Sequence, residues 1–278
     1  MFKKYISAIL PLSLVLVVWS CGDDSPTGPD LSEAPDAPTL ENVEMDFSVF
    51  EHADNFSSFQ MKDHEDFHKT LQSIQEDSEF TPYEQAAMFA SMAQLWFHSM
   101  GQLPNAWFQE HQWGEPEVDG DTWIWEWSFS AEGESLTMTV TAETVGDERH
   151  WELRYTTEGS ENDLDNALLI ASQVRLDGSG GSWQLYDFFE DEPVFVVDYE
   201  LDGELTTMVE MQYDEEEDGH FLYERDGDFS TLQLWDVINS ASTTIQWNND
   251  IGTGSIQSAG YRDGEEVCWN EQFEETAC

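Results

Sequence analysis

Two groups of side chains in this sequence have the types and spacing to do chemistry. The first is His64-Glu65-Asp66-Phe67-His68. On a helix, His64 and His68 stand one turn apart on one face. There two neutral imidazoles can chelate zinc, and Glu65 can act as general base toward metal-bound water. The second is Trp123, Trp125, Trp127 and Phe129, aromatic rings at every second position of DTWIWEWSF. On a strand they share a face and form a platform for an apolar ligand, a lipid chain or a glycan, or else a plain core. Which of these readings holds depends on the elements that carry each group.

The metal reading is the weaker one. His64-Glu65-x-x-His68 resembles the motif of zinc peptidases, a resemblance that implies Glu65 as catalytic base and His64 and His68 as metal ligands. In that family the motif helix is buried, whereas Lys62, Asp66 and Lys69 sit within and beside it here. The extended form of the motif needs Gly at 71 and His at 74, where Leu71 and Ile74 stand, so Glu79 or Glu84 would have to complete the site. Phe67, Leu71 and Ile74 read instead as the apolar stripe of an acidic amphipathic helix. No G-x-S-x-G elbow or phosphate loop occurs, and lysine is absent after Lys69, which removes phosphate-loop and Schiff-base chemistry from most of the chain. The acid run Asp214-Glu215-Glu216-Glu217-Asp218 lacks the loop pattern of a calcium site and reads as a solvated turn. The expectation is a non-catalytic protein with no cofactor and no metal.

Charge narrows the partners. Nine Lys plus Arg face 59 Asp plus Glu, and without Lys3 and Lys4 the balance is 7 − 59 = −52. Such a surface repels nucleic acid and anionic lipid headgroups, so nucleic-acid binding is excluded. The acid-rich, lysine-poor balance resembles proteins of salt-loving prokaryotes, in which added salt relieves self-repulsion.

The front of the chain reads as an anchor. Lys3 and Lys4 precede an apolar run from Ile6 to Val18, the length of a signal-peptide core and too short to span a bilayer. Val18-Trp19-Ser20-Cys21 then resembles the lipobox of bacterial lipoproteins, which implies removal of residues 1–20 and diacylglycerol on the Cys21 sulfur. The membrane is thus one partner, reached through acyl chains on a single residue. Asp23-Asp24 also resembles the surface-export signal of some Bacteroidota lipoproteins. Residues 21–42, with Pro26, Pro29, Pro35 and Pro38, have the composition of a disordered tether. The expected location is the cell envelope, on the outer membrane, facing the periplasm or the surface. With Cys21 lipidated, Cys268 and Cys278 remain and are expected to form a disulfide.

Residues 43–278 read as a single folded domain, helical over 43–118 and antiparallel β over 119–278. A helix is predicted from Thr81-Pro82-Tyr83-Glu84, a cap, a first-turn proline and a capping-box glutamate, to Met100, stopping at Gly101. Phe89, Met92 and Trp96 mark its apolar side; Ser91, Gln94, His98 and Gln102 mark a polar stripe. Beyond Asp119 the period falls to two over ten or more short strands, with Asp-Gly pairs suggesting type I′ hairpins and a possible helix only near 162–172. The fold class is therefore α+β, mainly β: N-terminal helices packed on a C-terminal antiparallel meander that forms a half-barrel, a barrel or a sandwich. The half-barrel under a helical lid resembles, in architecture, the periplasmic lipid-carrier lipoproteins of the LolA/LolB type. These features point to a ligand-binding or envelope component, against the alternatives of a zinc peptidase and a purely structural surface protein.

Overall fold

The computed structural model describes residues 34–38, 40, 43–53, 80–107, 114–131, 133–159, 163–187, 192–203, 205–213, 219–236 and 241–278. The chain divides into Met1–Ala34 and Pro35–Cys278, and the fold described below belongs to the second unit. Cys21, His64, Glu65, His68 and the acid run 214–218 lie outside the described residues.

Among the described residues fourteen strands pair strictly in chain order, each antiparallel to the next. They are β1 Glu117–Asp119, β2 Thr122–Ala131, β3 Glu134–Val145, β4 Glu148–Glu158, β5 Ala167–Arg175, β6 Gly180–Tyr186 and β7 Pro193–Asp202, followed by β8 Leu205–Tyr213, β9 Gly219–Asp226, β10 Phe229–Asp236, β11 Ala241–Asn248, β12 Gly254–Ser258, β13 Val267–Trp269 and β14 Glu275–Thr276. The protein is mainly β, as its alternating pattern predicts. β1 and β14 do not pair, so the sheet is open and continuous among the described residues; it is neither a closed barrel nor two separate sheets.

Register fixes one apolar face. Trp123 pairs with Ala142, Ala142 with Trp151, Trp151 with Ser172, Ser172 with Trp183 and Trp183 with Val197, and partners in register point to the same side. Apart from Leu169 and Thr206 beside two register shifts, the buried strand side chains all lie on this face, including Leu153, Tyr155, Val209, Phe221, Tyr223, Leu232, Ile245, Trp247 and Trp269. Three shifts, at Leu153/Arg154, Leu185/Tyr186 and Glu200/Leu201, bend the strands as bulges do.

The connections differ from the type I′ expectation. Asp119 pairs with Thr122, Val145 with Glu148 and Asp226 with Phe229, leaving two-residue loops that begin at Gly120, Gly146 and Gly227. Those glycines have positive φ of 63°, 67° and 60°, but the second loop residues, Asp121, Asp147 and Asp228, do not. Positive φ at the first position alone is the type II′ pattern, so in Asp-Gly the aspartate closes the strand and the glycine opens the turn.

Several N-terminal helices were expected over 43–118; among the described residues there is one α-helix, α1 at Pro82–Trp107, and one 3₁₀ turn, η1 at Ser48–His52, in that stretch. The Thr81 backbone N–H donates to Glu84 Oε2 at 2.9 Å and the Glu84 N–H to Thr81 Oγ1 at 3.2 Å, the predicted capping box. The helix runs past Gly101, because one interior glycine costs only about 1 kcal/mol and does not by itself end a helix. Its first turns are enclosed on every side: Gln85, Ser91 and the alanines 86, 87, 90 and 93 are buried along with Phe89 and Met92. Ser91, expected on the polar stripe, donates instead to the Ala87 carbonyl at 2.8 Å, while Gln94 and His98 are exposed.

α1 and η1 meet the C-terminal end of the sheet. Phe50 of η1 packs against Trp247, Trp269 and Tyr83 at centroid distances of 5.1, 6.2 and 5.9 Å. Trp269 lies flat across Gly254, where any Cβ would collide with its ring. The Cys268–Cys278 disulfide, with a Cα–Cα distance of 5.2 Å, ties the C-terminus to β13 as expected from the cysteine count.

On the outer face Asp198 and Glu210 stand opposite each other across β7 and β8. Burial first, and the Glu210 charge second, hold the Asp198 carboxyl above the usual carboxylate range. A carboxyl raised in the folded state favours folding while protonated and loses that contribution as pH rises through its folded pKa. Asp198→Asn is therefore expected to stabilise the protein at pH 7 by about 0.5 kcal/mol, with the gain fading in acid; denaturant titrations at pH 4 and pH 7 check this.

Candidate functional site

The aromatic ladder of β2 forms one border of the apolar face, and its four rings are graded. Trp125 is in the core, 7% exposed and stacked on Trp151 at 5.6 Å and 17°. Toward the end of the strand Trp127 and Phe129 stack on each other at 6.2 Å and 8°, with Trp127 half-buried and Phe129 46% exposed. At the other end Trp123 is half-buried, and the Arg149 guanidinium carbon sits 4.9 Å from its ring centroid. The four predicted residues thus share a face but not a fate: one is core, two are at the margin and one is open to solvent.

No family model, curated protein or solved structure matches this chain. What the site can do has to be read from its geometry.

The polar groups on the apolar face fall into two sets. At the β9–β12 end they are satisfied by the segment that covers them and by the β11–β12 turn. Arg225 Nη1 lies 3.2 Å from Asp46 Oδ2, and the Asp46 N–H donates to the Tyr223 hydroxyl at 3.2 Å. The Trp247 indole donates to Asn249 Oδ1 at 2.7 Å and Asn249 Nδ2 to Ser230 Oγ at 2.9 Å. At the β2–β6 end the pattern changes. Nε and Nη1 of Arg149 are shut off from solvent with no hydrogen-bond partner among the described residues, and burial lowers the pKa of the guanidinium, which still carries its charge. Ser172, 2% exposed between Trp151 and Trp183, has an Oγ in the same condition. Burial also pushes the Tyr155 hydroxyl far above its ordinary range, so it remains a neutral donor.

Arg149 and Ser172 were not among the residues singled out by pattern. The signal was present in parity: in ERHWELRY, Arg149 occupies the same alternate positions as Trp151, Leu153 and Tyr155, and therefore points inward. Among the described residues no group of three or more His, Cys, Asp and Glu could hold a metal ion. No helix there is long and apolar enough to cross a membrane, which says nothing about strands.

Proposed function

We propose that this chain is an exported, lipid-anchored, non-catalytic protein whose open sheet curls as a half-barrel around its aromatic face and holds an apolar ligand there. The reading rests on one observation above all. The apolar face is sealed by η1 and α1 at its C-terminal strands, yet at β2 it runs out to a half-buried Trp127 and a Phe129 that is 46% exposed, stacked as a pair. An aromatic pair left at the margin of a buried face is a ready contact for an alkyl chain. The three register shifts supply the bending a half-barrel needs. The lipobox-like Val18-Trp19-Ser20-Cys21 supports a membrane anchor in the envelope, and the deep negative charge argues against nucleic acid as partner.

The neutral probe 11-bromoundecanol tests this, because bromine quenches the tryptophans it touches. Saturable quenching of the full chain, held in an amphipathic polymer, is expected. Trp127→Ala should weaken it about 5- to 10-fold, the loss of one aromatic contact of roughly 1 kcal/mol. Quenching that never saturates would favour a purely structural surface protein. The zinc-peptidase alternative rests on His64, Glu65 and His68. Stoichiometric zinc in the purified protein, with peptidase activity lost in Glu65→Gln, would establish it in place of the present reading.

A further inference from the structure

The five arginines of the chain, Arg149, Arg154, Arg175, Arg225 and Arg262, are all described, and four are paired with a carboxylate. Arg154 lies 2.8 Å from Glu152, Arg175 3.3 Å from Glu200, Arg225 3.2 Å from Asp46 and Arg262 3.1 Å from Glu275. In a chain with 59 acidic residues such pairing is what chance alone would supply. Arg149 is the exception. It faces the apolar side of the sheet, as Arg225 does, but no acid among the described residues meets it, and its partner is the Trp123 ring.

A cation held against an aromatic ring gains about 0.5–2 kcal/mol, which does not make good the hydrogen bonds that the shielded Nε and Nη1 forgo, at about 1–3 kcal/mol each. Shielded N–H groups of that kind are completed by ordered water or by an anion. Next to it lies a second incomplete group. Arg149 pairs in register with Val174 and Trp151 with Ser172, so Arg149 and Ser172 are diagonal neighbours on one face, within reach of a long side chain. Ser172 Oγ is as deeply buried as the core around it and has no partner among the described residues.

We propose that Arg149 and Ser172 form the head-group site for an amphiphile with an anionic head, a carboxylate or a phosphate ester, whose apolar body runs from the half-buried Trp123 toward the Trp127–Phe129 margin of the aromatic face. Arg149 lies one residue inside the β3–β4 turn at the rim of the sheet, where a head group can stay near water, and Ser172 lies two residues farther in on the same face. The apolar body is what overcomes the repulsion that a chain of net charge −50 exerts on any anion. This site deepens the ligand-binding reading above and rests on it.

The test compares three probes on the full chain by tryptophan quenching at fixed salt: 11-bromoundecanoate, 11-bromoundecyl phosphate and 11-bromoundecanol. At least one anionic probe is expected to bind more than ~10-fold tighter than the alcohol, the worth of one charged hydrogen bond. Arg149→Gln should collapse that ratio to near one, and Arg149→Lys should restore part of it. The preference of the wild-type chain for the undecanoate should vanish as pH falls through about 4–5, where a carboxylic acid takes up its proton. That last readout needs no variant, so a misfolded Arg149→Gln leaves the test intact. Tighter binding of the phosphate points to a phospholipid source, of the carboxylate to a fatty acid; either supports the site. Equal binding of all three probes to the wild-type chain, or a ratio unchanged by Arg149→Gln, overturns the head-group site alone. Saturable binding of none overturns the ligand-binding reading with it.

Discussion

Trp247→Ala is expected to lower the unfolding free energy by about 3–5 kcal/mol, the range for removing a large aromatic ring from a packed core. Trp247 is 1% exposed and is the ring on which the N-terminal segment closes. Phe50, Phe47 and Tyr223 surround it at 5.1, 5.8 and 6.2 Å. Two of those rings come from residues 43–53 and one from β9, so the loss falls on contacts distant in sequence, with no local structure to make them good. The indole also donates to Asn249 Oδ1, which in turn holds Ser230 through its amide, so truncation leaves Asn249 short of a donor in a half-buried site. Trp247→Phe separates the two effects: it keeps most of the packing and should cost about 1–2 kcal/mol, chiefly the lost hydrogen bond. Urea titrations followed by circular dichroism, all at one ionic strength, measure both. A cost for the alanine variant under about 1 kcal/mol would mean that the 43–53 segment does not close on the sheet.

Much of the β part is legible because the sheet is single-sided. One face buried and one face wet gives strict period two, and β2, β4 and β9 carry it openly in Trp123-x-Trp125, Trp151-x-Leu153 and Phe221-x-Tyr223. The misses have local causes. Residues 167–172, part of the stretch 162–172 where a helix was conceivable, belong to β5. There Leu168, Leu169 and Ile170 run together because the register shift at Leu153/Arg154 puts an extra residue into the strand, and Leu169 and Ile170 are both buried. A bulge erases the alternation on which strand recognition depends. The segment 43–53 shows no period, since what fixes it is long-range: Asp46 to Arg225, Phe47 to Tyr223 and Phe50 to Trp247. The same limit hid the candidate site. The ladder at 123–129 announces an aromatic face, but that Trp125 is core while Phe129 is open depends on what lies above each ring. A lone arginine at an inward position looks like any exposed arginine until its partners are known.

Raising NaCl from 0.1 to 1 M should stabilise the fold by at least about 3 kcal/mol, as the screening length falls from about 10 to 3 Å. Folding confines a net charge of −50 that the unfolded chain spreads over a far larger volume, so repulsion opposes compaction at low salt. The arginines give little relief. Their ion pairs lie at the surface or are half-exposed, with side-chain exposures of 29 and 43% at Arg154–Glu152 and 43 and 48% at Arg262–Glu275, where each contributes under about 1 kcal/mol and weakens with salt. Screening therefore removes many unfavourable terms and, among the described residues, only a few small favourable ones, and the balance must be a gain. KCl should act like NaCl at equal ionic strength, while sucrose, which stabilises by exclusion and leaves charges unscreened, should not reproduce the steep rise between 0.1 and 0.5 M. Protonation offers an independent route to the same relief. Bringing the pH from 7 toward 5 at low salt should narrow the difference between low and high salt, because each carboxylate neutralised lowers the charge that salt would have to screen. A stability that is flat in NaCl, or that follows sucrose as closely as salt, would show that local carboxylate contacts such as Asp198 with Glu210, and not the field of the whole chain, decide how this sheet tolerates its charge.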